Sequence, residues 1–242
     1  MQKGIAEAMP FSIQGGKFIM EITPVAHIKT DFITKFGIPR QSGTTDAKAK
    51  IIFEPEYRIR EAFRGLEEYS HIWVVWGFSE NTKKKWSPTV RPPRLGGNTR
   101  KGVFATRSPF RPNSLALSCL ELEEILYDKQ DGHVLIVKGA DMMDGTPIFD
   151  IKPYLPHVDS HPEASGGFAK EAADYRLEVI WKYGCDEVLD EKQKEIVEQI
   201  LSQDPRPAYQ DDSDRIYGMQ YADLEIKFQV KDEKILVCSI EK

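Results

Sequence analysis

Hydrophobic and polar residues alternate along several short segments of the chain, which is the pattern of β-strands with one buried face. The alternation is clearest over residues 115–126, where positions 116, 118, 120 and 122 share one face and the odd-numbered positions share the other. Asp131-Gly132 predicts a tight turn after this strand, and residues 133–137 are predicted to return as its hairpin partner.

Other segments carry weaker forms of the same signal. His71–Phe78 is apolar over the length of a strand, so we predict a strand that is buried on both faces. Further strands are predicted over residues 22–30, 50–53, 102–106, 146–155, 177–181, 224–230 and 235–240, the last two as a terminal hairpin.

Two segments have helical spacing instead. Pro55 is well placed for a first turn, and apolar residues follow it at 59, 62, 63 and 66. Residues 190–202 form an amphipathic pattern that Asp190 is suited to cap.

Many short strands with a single main helix favour a closed or barrel-like sheet over a doubly wound one. We therefore predict a mainly β protein: an irregular N-terminal extension over residues 1–18, a β-barrel domain with one main helix over 19–165, and a small α+β domain over 166–242. Residues 156–167 are rich in Pro, Gly, Ser and His and are predicted to link the two domains.

Composition places the chain among globular proteins, since 40% of its 242 residues are hydrophobic and 29% are charged. No apolar run approaches the roughly 20 residues that cross a bilayer, and the first residues lack the pattern of a secretory signal. Cys119, Cys185 and Cys238 are far apart and odd in number, which favours reduced thiols over redox or metal chemistry. We expect a cytoplasmic protein with no membrane association.

Charge is strongly segregated along the chain. Residues 81–120 contain nine Lys or Arg and no Asp or Glu, while the other 202 residues hold 24 basic and 38 acidic residues. The window has a net charge of +9, whereas the rest of the chain has a net charge of −14. Because nine positive charges close together repel one another, their clustering predicts a local binding site for an anion.

Several common sites have no sequence signal here. The chain lacks the glycine-rich fingerprint of a Rossmann nucleotide site, a phosphate-binding P-loop and the Gly-x-Ser-x-Gly of serine hydrolases. His157 and His161 have the spacing of a metal-ligand pair, but Pro156 and Pro162 flank them, so a surface loop is favoured over a metal site.

The basic window and the residues after it form unusual loops. Prolines set their path, glycines allow close approach of a ligand, and arginines offer forked donors. Phe104, Phe110 and Tyr154 add rings that can stack on a nucleobase. The alternative to a binding site is that the fold simply needs long loops with solvated charges. That alternative accounts for any single arginine, but it accounts less well for a window of 40 residues without an acidic residue.

These loops also carry a resemblance that extends from about Pro24 to Phe228. The chain resembles the TsaA/TrmO family in Arg64–Trp73, Pro92–Asn98, Gly102–Asn113, Asp144–Pro147, Asp150–Pro156, Asp204–Tyr209 and Tyr217–Met219. The resemblance implies an S-adenosylmethionine-dependent tRNA methyltransferase that acts on N6 of threonylcarbamoyl-adenosine, 3′ of the anticodon. It also implies a β-barrel unlike the Rossmann methyltransferases, and a homodimer with the cofactor near the subunit interface.

The same resemblance implies which residues bind the cofactor. They are Arg40, Gln41, Ser42, Gly43, Ser79, Glu80, Arg107, Leu117, Lys138, Gly139, Ala140 and Asp141. Ser114 and Ala116, which flank the cofactor loop, depart from the family, which usually has Pro and Gly at these positions; methyltransferase activity is nevertheless expected.

Methyl transfer to an adenine nitrogen needs alignment, a dry pocket and an acceptor for the N–H proton, but no metal. Asp144 and Asn113 are predicted to act on the substrate side as catalytic residues, although either could instead cap a turn. The residues predicted to contact tRNA are Arg91, Arg94, Asn98, Arg100, Arg111, Lys152, Tyr154 and Arg206. A non-catalytic RNA-binding module is the main alternative, and a phosphoester hydrolase a weaker one.

Overall fold

The computed structural model of the chain describes residues 11–14, 17–81, 85–92, 99–170, 175–206 and 212–242. In chain order its elements are β1 (Phe11–Gln14), β2 (Lys17–Met20), β3 (Ala26–Lys29), β4 (Lys48–Phe53), β5 (His71–Gly77), β6 (Thr89–Val90), β7 (Lys101–Gly102), β8 (Leu115–Asp128), β9 (Gly132–Lys138), β10 (Pro147–Pro153), α1 (Pro156–Asp159), β11 (Glu178–Trp181), α2 (Glu191–Ser202), β12 (Tyr217–Tyr221), β13 (Leu224–Lys231) and β14 (Lys234–Glu241). The prediction of a mainly β protein is confirmed.

Six antiparallel strands close on themselves in the order β10-β3-β4-β9-β8-β5, and β5 pairs with β10 to complete the barrel. The long β8–β9 hairpin forms where the Asp131-Gly132 turn was predicted, with Gly132 at a positive φ of 70°. Side chains that alternate along these strands meet inside, where Ile28, Ile51 and Leu135 are fully buried.

Strand β5 corrects one expectation. Its burial alternates instead of extending to both faces: Ile72, Val74 and Trp76 are buried in the barrel core, whereas Trp73 and Val75 are only partly covered. The sequence could not separate the two cases because the outward residues are also large and apolar. Their partial exposure leaves an apolar surface at the edge of a cavity described below.

The predicted helix after Pro55 is wrong. Three short 3₁₀ helices take its place, at Pro55–Tyr57, Arg60–Phe63 and Leu66–Glu68. The chain is extended at Ile59 and left-handed at Gly65, with φ of 85°, so a continuous α-helix cannot form. Only Phe63 of these residues is buried, and in the described part of the barrel the sole α-helix is the single turn α1, which lies in the predicted linker.

Two other local predictions need correction. Residues 11–14 and 17–20 pair as the antiparallel strands β1 and β2, where an irregular extension was expected; residues 1–10 and 15–16 lie outside the described residues. The strand expected over 102–106 is limited to β7, which pairs with β6 and leads into a 3₁₀ turn at Val103–Ala105.

The C-terminal part is a four-stranded sheet, in the order β11-β14-β13-β12, with α2 packed against it. The predictions of β11, of α2 and of the terminal hairpin are confirmed. Asp190 caps α2 through a capping box: its carboxylate accepts from the Gln193 amide nitrogen at 2.8 Å, and the Gln193 side chain accepts from the Asp190 nitrogen. Strand β12 was not predicted.

The segment between β3 and β4 joins the two parts. Phe32 and Ala47 belong to the core of the C-terminal sheet, although they flank barrel strands in sequence. Gly37, at φ of 96°, lies against Met219 so closely that an added Cβ would approach the Met219 side chain to 2.5 Å. The path of residues 30–47 is therefore set by the C-terminal sheet as well as by the barrel.

In the described ranges no helix is both long enough and apolar enough to cross a membrane.

Candidate active site

A cavity of about 840 Å³ lies at the Gly77 end of β5 and the Leu115 end of β8, which pair with each other. Residues 35–41 and 106–111 form its other walls. Its volume is within the roughly 300–1,000 Å³ of typical small-molecule sites. Seven of the residues predicted to bind the cofactor line it: Arg40, Gln41, Ser79, Glu80, Arg107, Leu117 and Asp141.

Four of the other five predicted cofactor residues, Ser42, Gly43, Gly139 and Ala140, support the cavity from behind. The Gly43 nitrogen donates to the Gly139 carbonyl at 2.9 Å, and Gly139 has a positive φ of 78°. A Cβ at Gly139 would lie 2.8 Å from the Gly43 nitrogen, so this close contact of two loops requires glycine. The contact holds Ser42 and the buried Ala140 next to the neighbours that do line the cavity.

Lys138 does not point into the cavity. Its ammonium pairs with Glu121 at 3.6 Å and with Glu123 at 3.5 Å across the outer surface of the β8–β9 hairpin. These two carboxylates raise the pKa of Lys138 and keep it cationic. The geometry therefore gives Lys138 a role in the hairpin surface.

Asp141 is the most deeply placed carboxylate of the cavity. Its Oδ1 accepts from Ser118 Oγ at 2.6 Å, and Ser118 Oγ accepts from Trp76 Nε1 at 2.9 Å. Burial raises the pKa of Asp141, while the bonds from Ser118 and the Ser42 backbone and the nearby Arg107 charge oppose that rise. Trp76 and Ser118 both line the cavity, and the sequence analysis assigned neither of them to the site.

A signal for Ser118 was present in the sequence. It is a hydroxyl on the buried face of an alternating strand, between positions that carry Ala116 and Leu120, and it is only 1% exposed. Buried polar groups are nearly always hydrogen-bonded, so a partner could have been expected, but not its identity. The remaining unpredicted lining residues are mostly apolar, namely Ile38, Pro39, Trp73, Val75, Phe78, Pro109, Leu115, Ala116 and Met143.

Basic side chains line the cavity mouth. Arg107 Nη1 donates to Gln41 Oε1 at 2.5 Å, and Lys35 Nζ donates to the Glu80 carbonyl at 3.2 Å. Arg40 reaches across to the C-terminal part, where its Nη2 donates to the carbonyls of Asp204 at 3.1 Å and Arg206 at 2.7 Å.

The basic window contributes to the shape of this mouth. Arg111 lines the cavity, and its Nη1 donates to the carbonyls of Val103 at 3.1 Å and Thr106 at 2.6 Å. These two bonds stabilise the conformation of the loop that carries Arg111. Arg100 Nε donates to Thr89 Oγ1 at 2.8 Å, and Arg91 is exposed. Arg94 and Asn98 lie outside the described residues.

The two predicted catalytic residues are not among those that line the cavity. Asp144 is exposed, and its Oδ1 accepts a hydrogen bond from the Thr30 backbone nitrogen at 3.0 Å. This contact matches the alternative that Asp144 caps a turn. Asn113 is exposed, and its carbonyl accepts from the Leu115 nitrogen at 2.8 Å. Each is nevertheless within two residues of a cavity residue, Met143 and Leu115 respectively.

Three further residues predicted to contact tRNA have protein partners. Lys152 pairs with Asp150 at 2.9 Å on the outside of β10. The ring of Tyr154 lies 5.8 Å from that of Trp73, a cavity residue whose indole donates to Asp159 Oδ2 at 3.1 Å.

Arg206 is the third of these residues, and it forms a well-covered ion pair with Asp204 at 2.9 Å over the ring of Tyr217. The structure therefore places Tyr154 beside the cavity and Arg206 in the turn that Arg40 contacts.

Within the described residues, no group of three or more His, Cys, Asp or Glu side chains could hold a metal ion. His157 and His161 are both exposed, and the three cysteines are free thiols.

Two family models match the chain. The tRNA-methyltransferase O N-terminal domain matches residues 27–160, and the TrmO C-terminal domain matches residues 174–242. The chain belongs to the TrmO family.

Known members of the TrmO family are similar over nearly the whole length. The tRNA (adenine(37)-N6)-methyltransferase of Escherichia coli K12 is 38% identical over 223 residues, which cover 88% of this chain and 94% of that protein. A Pseudomonas aeruginosa protein named as a candidate S-adenosylmethionine-dependent methyltransferase is 37% identical over 214 residues, or 85% of this chain and 90% of that protein. The crystal structure of TrmO from Pseudomonas aeruginosa superposes with a TM-score of 0.73 at 30% identity, covering 92% of this chain and 98% of that one.

Proposed function

We propose that the protein is an S-adenosylmethionine-dependent methyltransferase that methylates N6 of threonylcarbamoyl-adenosine 3′ of the anticodon in tRNA. One observation carries the proposal: a single cavity brings together seven residues that the family resemblance had assigned to the cofactor from four separate segments. The relatives named as tRNA (adenine(37)-N6)-methyltransferases support the same reaction.

The chemistry of the cavity suits this cofactor. S-adenosylmethionine carries a sulfonium, an ammonium, a carboxylate, a ribose diol and an adenine ring. Asp141 and Glu80 offer carboxylates for its positive or hydroxyl groups, and Arg107 offers a forked donor for its carboxylate. The apolar wall of Phe78, Leu115 and their neighbours suits the ring.

The bound cofactor supplies an electrophilic methyl group on a positively charged sulfur. The protein's part is to align the adenine nitrogen with that methyl group and to exclude water, and good alignment alone can lower a barrier by roughly 7–11 kcal/mol. The partly exposed aromatic residues Trp73 and Phe78 give a purine a surface against which to pack.

We propose Asp144 and Asn113 as substrate-side residues, because each adjoins a segment that lines the cavity. The cations around the cavity mouth, Lys35, Arg107 and Arg111, and the exposed Arg91 and Arg100 would hold the phosphates of the anticodon arm.

The domain division at about residue 165, a homodimer and a cytoplasmic site of action belong to the same proposal. Two separate buried cores support the division, although the second core also takes in Phe32 and Ala47. A tRNA substrate supports action in the cytoplasm. The exposed Leu117 on the cavity wall supports an interface there.

The test has two arms. Isothermal titration of the full chain with S-adenosylmethionine should show micromolar binding, and incubation with tRNA carrying threonylcarbamoyl-adenosine should yield the methylated nucleoside by mass spectrometry. In cells that lack the protein, the unmethylated nucleoside should accumulate. Binding of tRNA without binding of S-adenosylmethionine would instead favour a non-catalytic RNA-binding module.

A further inference from the structure

A directional chain of hydrogen bonds leads from the barrel core to the cavity. Ser118 lies on the face of β8 that also carries Leu120 and Leu122, and it is 1% exposed. A hydroxyl buried among apolar side chains destabilises the fold unless it is hydrogen-bonded. Ser118 has two such partners, Trp76 and Asp141.

The direction of the chain follows from the donor types. An indole N–H can only donate, so Ser118 Oγ must accept from Trp76 Nε1 at 2.9 Å. The single proton of Ser118 is then available for Asp141 Oδ1, and their separation of 2.6 Å is typical of a hydroxyl that donates to a carboxylate. This hydrogen bond favours the ionised form of Asp141 and opposes the desolvation that raises its pKa.

Other charges near Asp141 do not replace this contact. Among the described residues, no Lys, Arg or His nitrogen lies within salt-bridge distance of its carboxylate. Arg107 acts on it only at longer range. The remaining charged side chains of the cavity are Lys35, Arg40, Glu80 and Arg111. A partly exposed carboxylate that has hydrogen-bond donors but forms no ion pair among the described residues is suited to receive a cationic ligand.

We propose that Ser118, oriented by Trp76, is a positioning residue that holds Asp141 in place as the partner of a positively charged group of S-adenosylmethionine. This inference rests on the proposed function and extends it. The cationic group is either the sulfonium or the amino group of the cofactor, which share the same chemistry toward a carboxylate.

The central variant is Ser118→Ala, measured by titration with S-adenosylmethionine. Loss of a charge-assisted hydrogen bond and displacement of the carboxylate should weaken binding by roughly 10–100-fold. Trp76→Phe keeps an aromatic side chain, although a smaller one, and loses the N–H; it leaves the Ser118–Asp141 bond in place and should weaken binding less. Ser118→Thr keeps the hydroxyl that Ser118→Ala lacks, so its affinity should be closer to that of wild type than to that of Ser118→Ala.

Trp181→Phe is the matched control. It also removes an indole donor that bonds a side chain, here Glu198 on α2, but that pair lies in the C-terminal part away from the cavity. Its affinity for the cofactor should stay within about twofold of wild type, since the substitution changes no cavity residue.

The pH dependence separates positioning from a general structural role. Without the Ser118 bond, desolvation of Asp141 is less opposed, so the carboxylate should take up its proton at a higher pH. The affinity of Ser118→Ala should therefore decline at a higher pH than that of wild type as the solution is acidified. Equal loss at every pH from about 5.5 to about 8.5, in a variant with unchanged circular dichroism, would overturn the proposal.

Three ligands identify the cationic group. S-adenosylhomocysteine lacks the sulfonium, and methylthioadenosine lacks both positive groups. A loss confined to S-adenosylmethionine assigns the sulfonium, and a loss shared with S-adenosylhomocysteine assigns the amino group. An equal loss with methylthioadenosine would refute a charge partner. If wild type binds none of them, the proposed function fails; if wild type binds and both Ser118→Ala and Trp76→Phe bind equally well, only the positioning proposal fails.

Discussion

Arg40 joins the cavity wall to the C-terminal part, and its removal should destabilise the fold measurably. Its Nη2 donates to the carbonyls of Asp204 and Arg206 at 3.1 and 2.7 Å, and these carbonyls belong to a turn with Asp204 at a left-handed φ of 50°. Arg40→Met keeps much of the aliphatic stem while removing both donors.

The magnitude follows from the geometry. A hydrogen bond from a charged donor is worth about 1.5–3 kcal/mol when well buried. One of these bonds is short, the other is longer, and Arg40 is only partly buried, so we expect a total loss of about 2–3 kcal/mol. For a chain of this length, that corresponds to a melting temperature lower by about 5–10 °C.

The assay is thermal and urea unfolding of the protein without cofactor, with Lys48→Met as the control. Lys48 is likewise a cation bonded to an oxygen, Glu123 Oε1 at 2.7 Å. That pair lies on the exposed surface of the barrel, where ion pairs contribute less than about 1 kcal/mol to the free energy of unfolding. If Arg40→Met lowers the melting temperature no more than Lys48→Met does, the contact between the cavity loop and the C-terminal turn contributes no more than an exposed ion pair, and our reasoning is refuted.

Three further predictions concern the cap, the buried acid and the RNA surface. Asp190→Ala removes the capping box and should destabilise the protein by about 0.5–2 kcal/mol in urea unfolding, whereas the exposed Glu195→Ala should change it little; equal effects would contradict the capping role. Burial raises the pKa of Asp141, so the folded state binds its proton more tightly than the unfolded state, and this group destabilises the fold as pH rises through the raised pKa. Asp141→Asn should therefore be more stable than wild type at about neutral pH, with a gain that shrinks on acidification, yet it should bind the cofactor more weakly. Parallel pH profiles of unfolding for the two proteins would exclude this. Binding of a tRNA transcript should weaken with salt at a log–log slope of roughly −3 to −5, as expected for four to six phosphate contacts, and a slope near zero would remove the electrostatic argument.

The local pattern predicted most strands because burial on one face imposes a period of two. The β8–β9 hairpin, the helix capped by Asp190 and the terminal hairpin all appear within one or two residues of their predicted bounds. The helix after Pro55 failed for a local reason that spacing does not reveal. Apolar residues three and four apart fit a series of 3₁₀ turns as well as an α-helix, and the backbone breaks at the extended Ile59 and the left-handed Gly65.

For the site, the family resemblance named seven residues that meet in one cavity. The geometry separated them from Gly139, which supports the cavity, and from Lys138, which lies on the surface of the β8–β9 hairpin. Ser118 and Trp76 escaped notice because each is unremarkable in sequence; they acquire a role only through β5–β8 pairing, which sets Ser118 opposite Val74 and within reach of the Trp76 indole.

By itself, the sequence determined the mainly β character, the segregation of nine cations in one window and the residue types available for an anion and a methyl donor. These depend on periodicity and composition, which are properties of neighbouring residues. Only the tertiary structure decided that Arg40 is held by the C-terminal turn and that Asp141 accepts a hydrogen bond from a serine. Those contacts join residues far apart in the chain, and their existence depends on barrel closure and on how residues 30–47 pack against the second sheet.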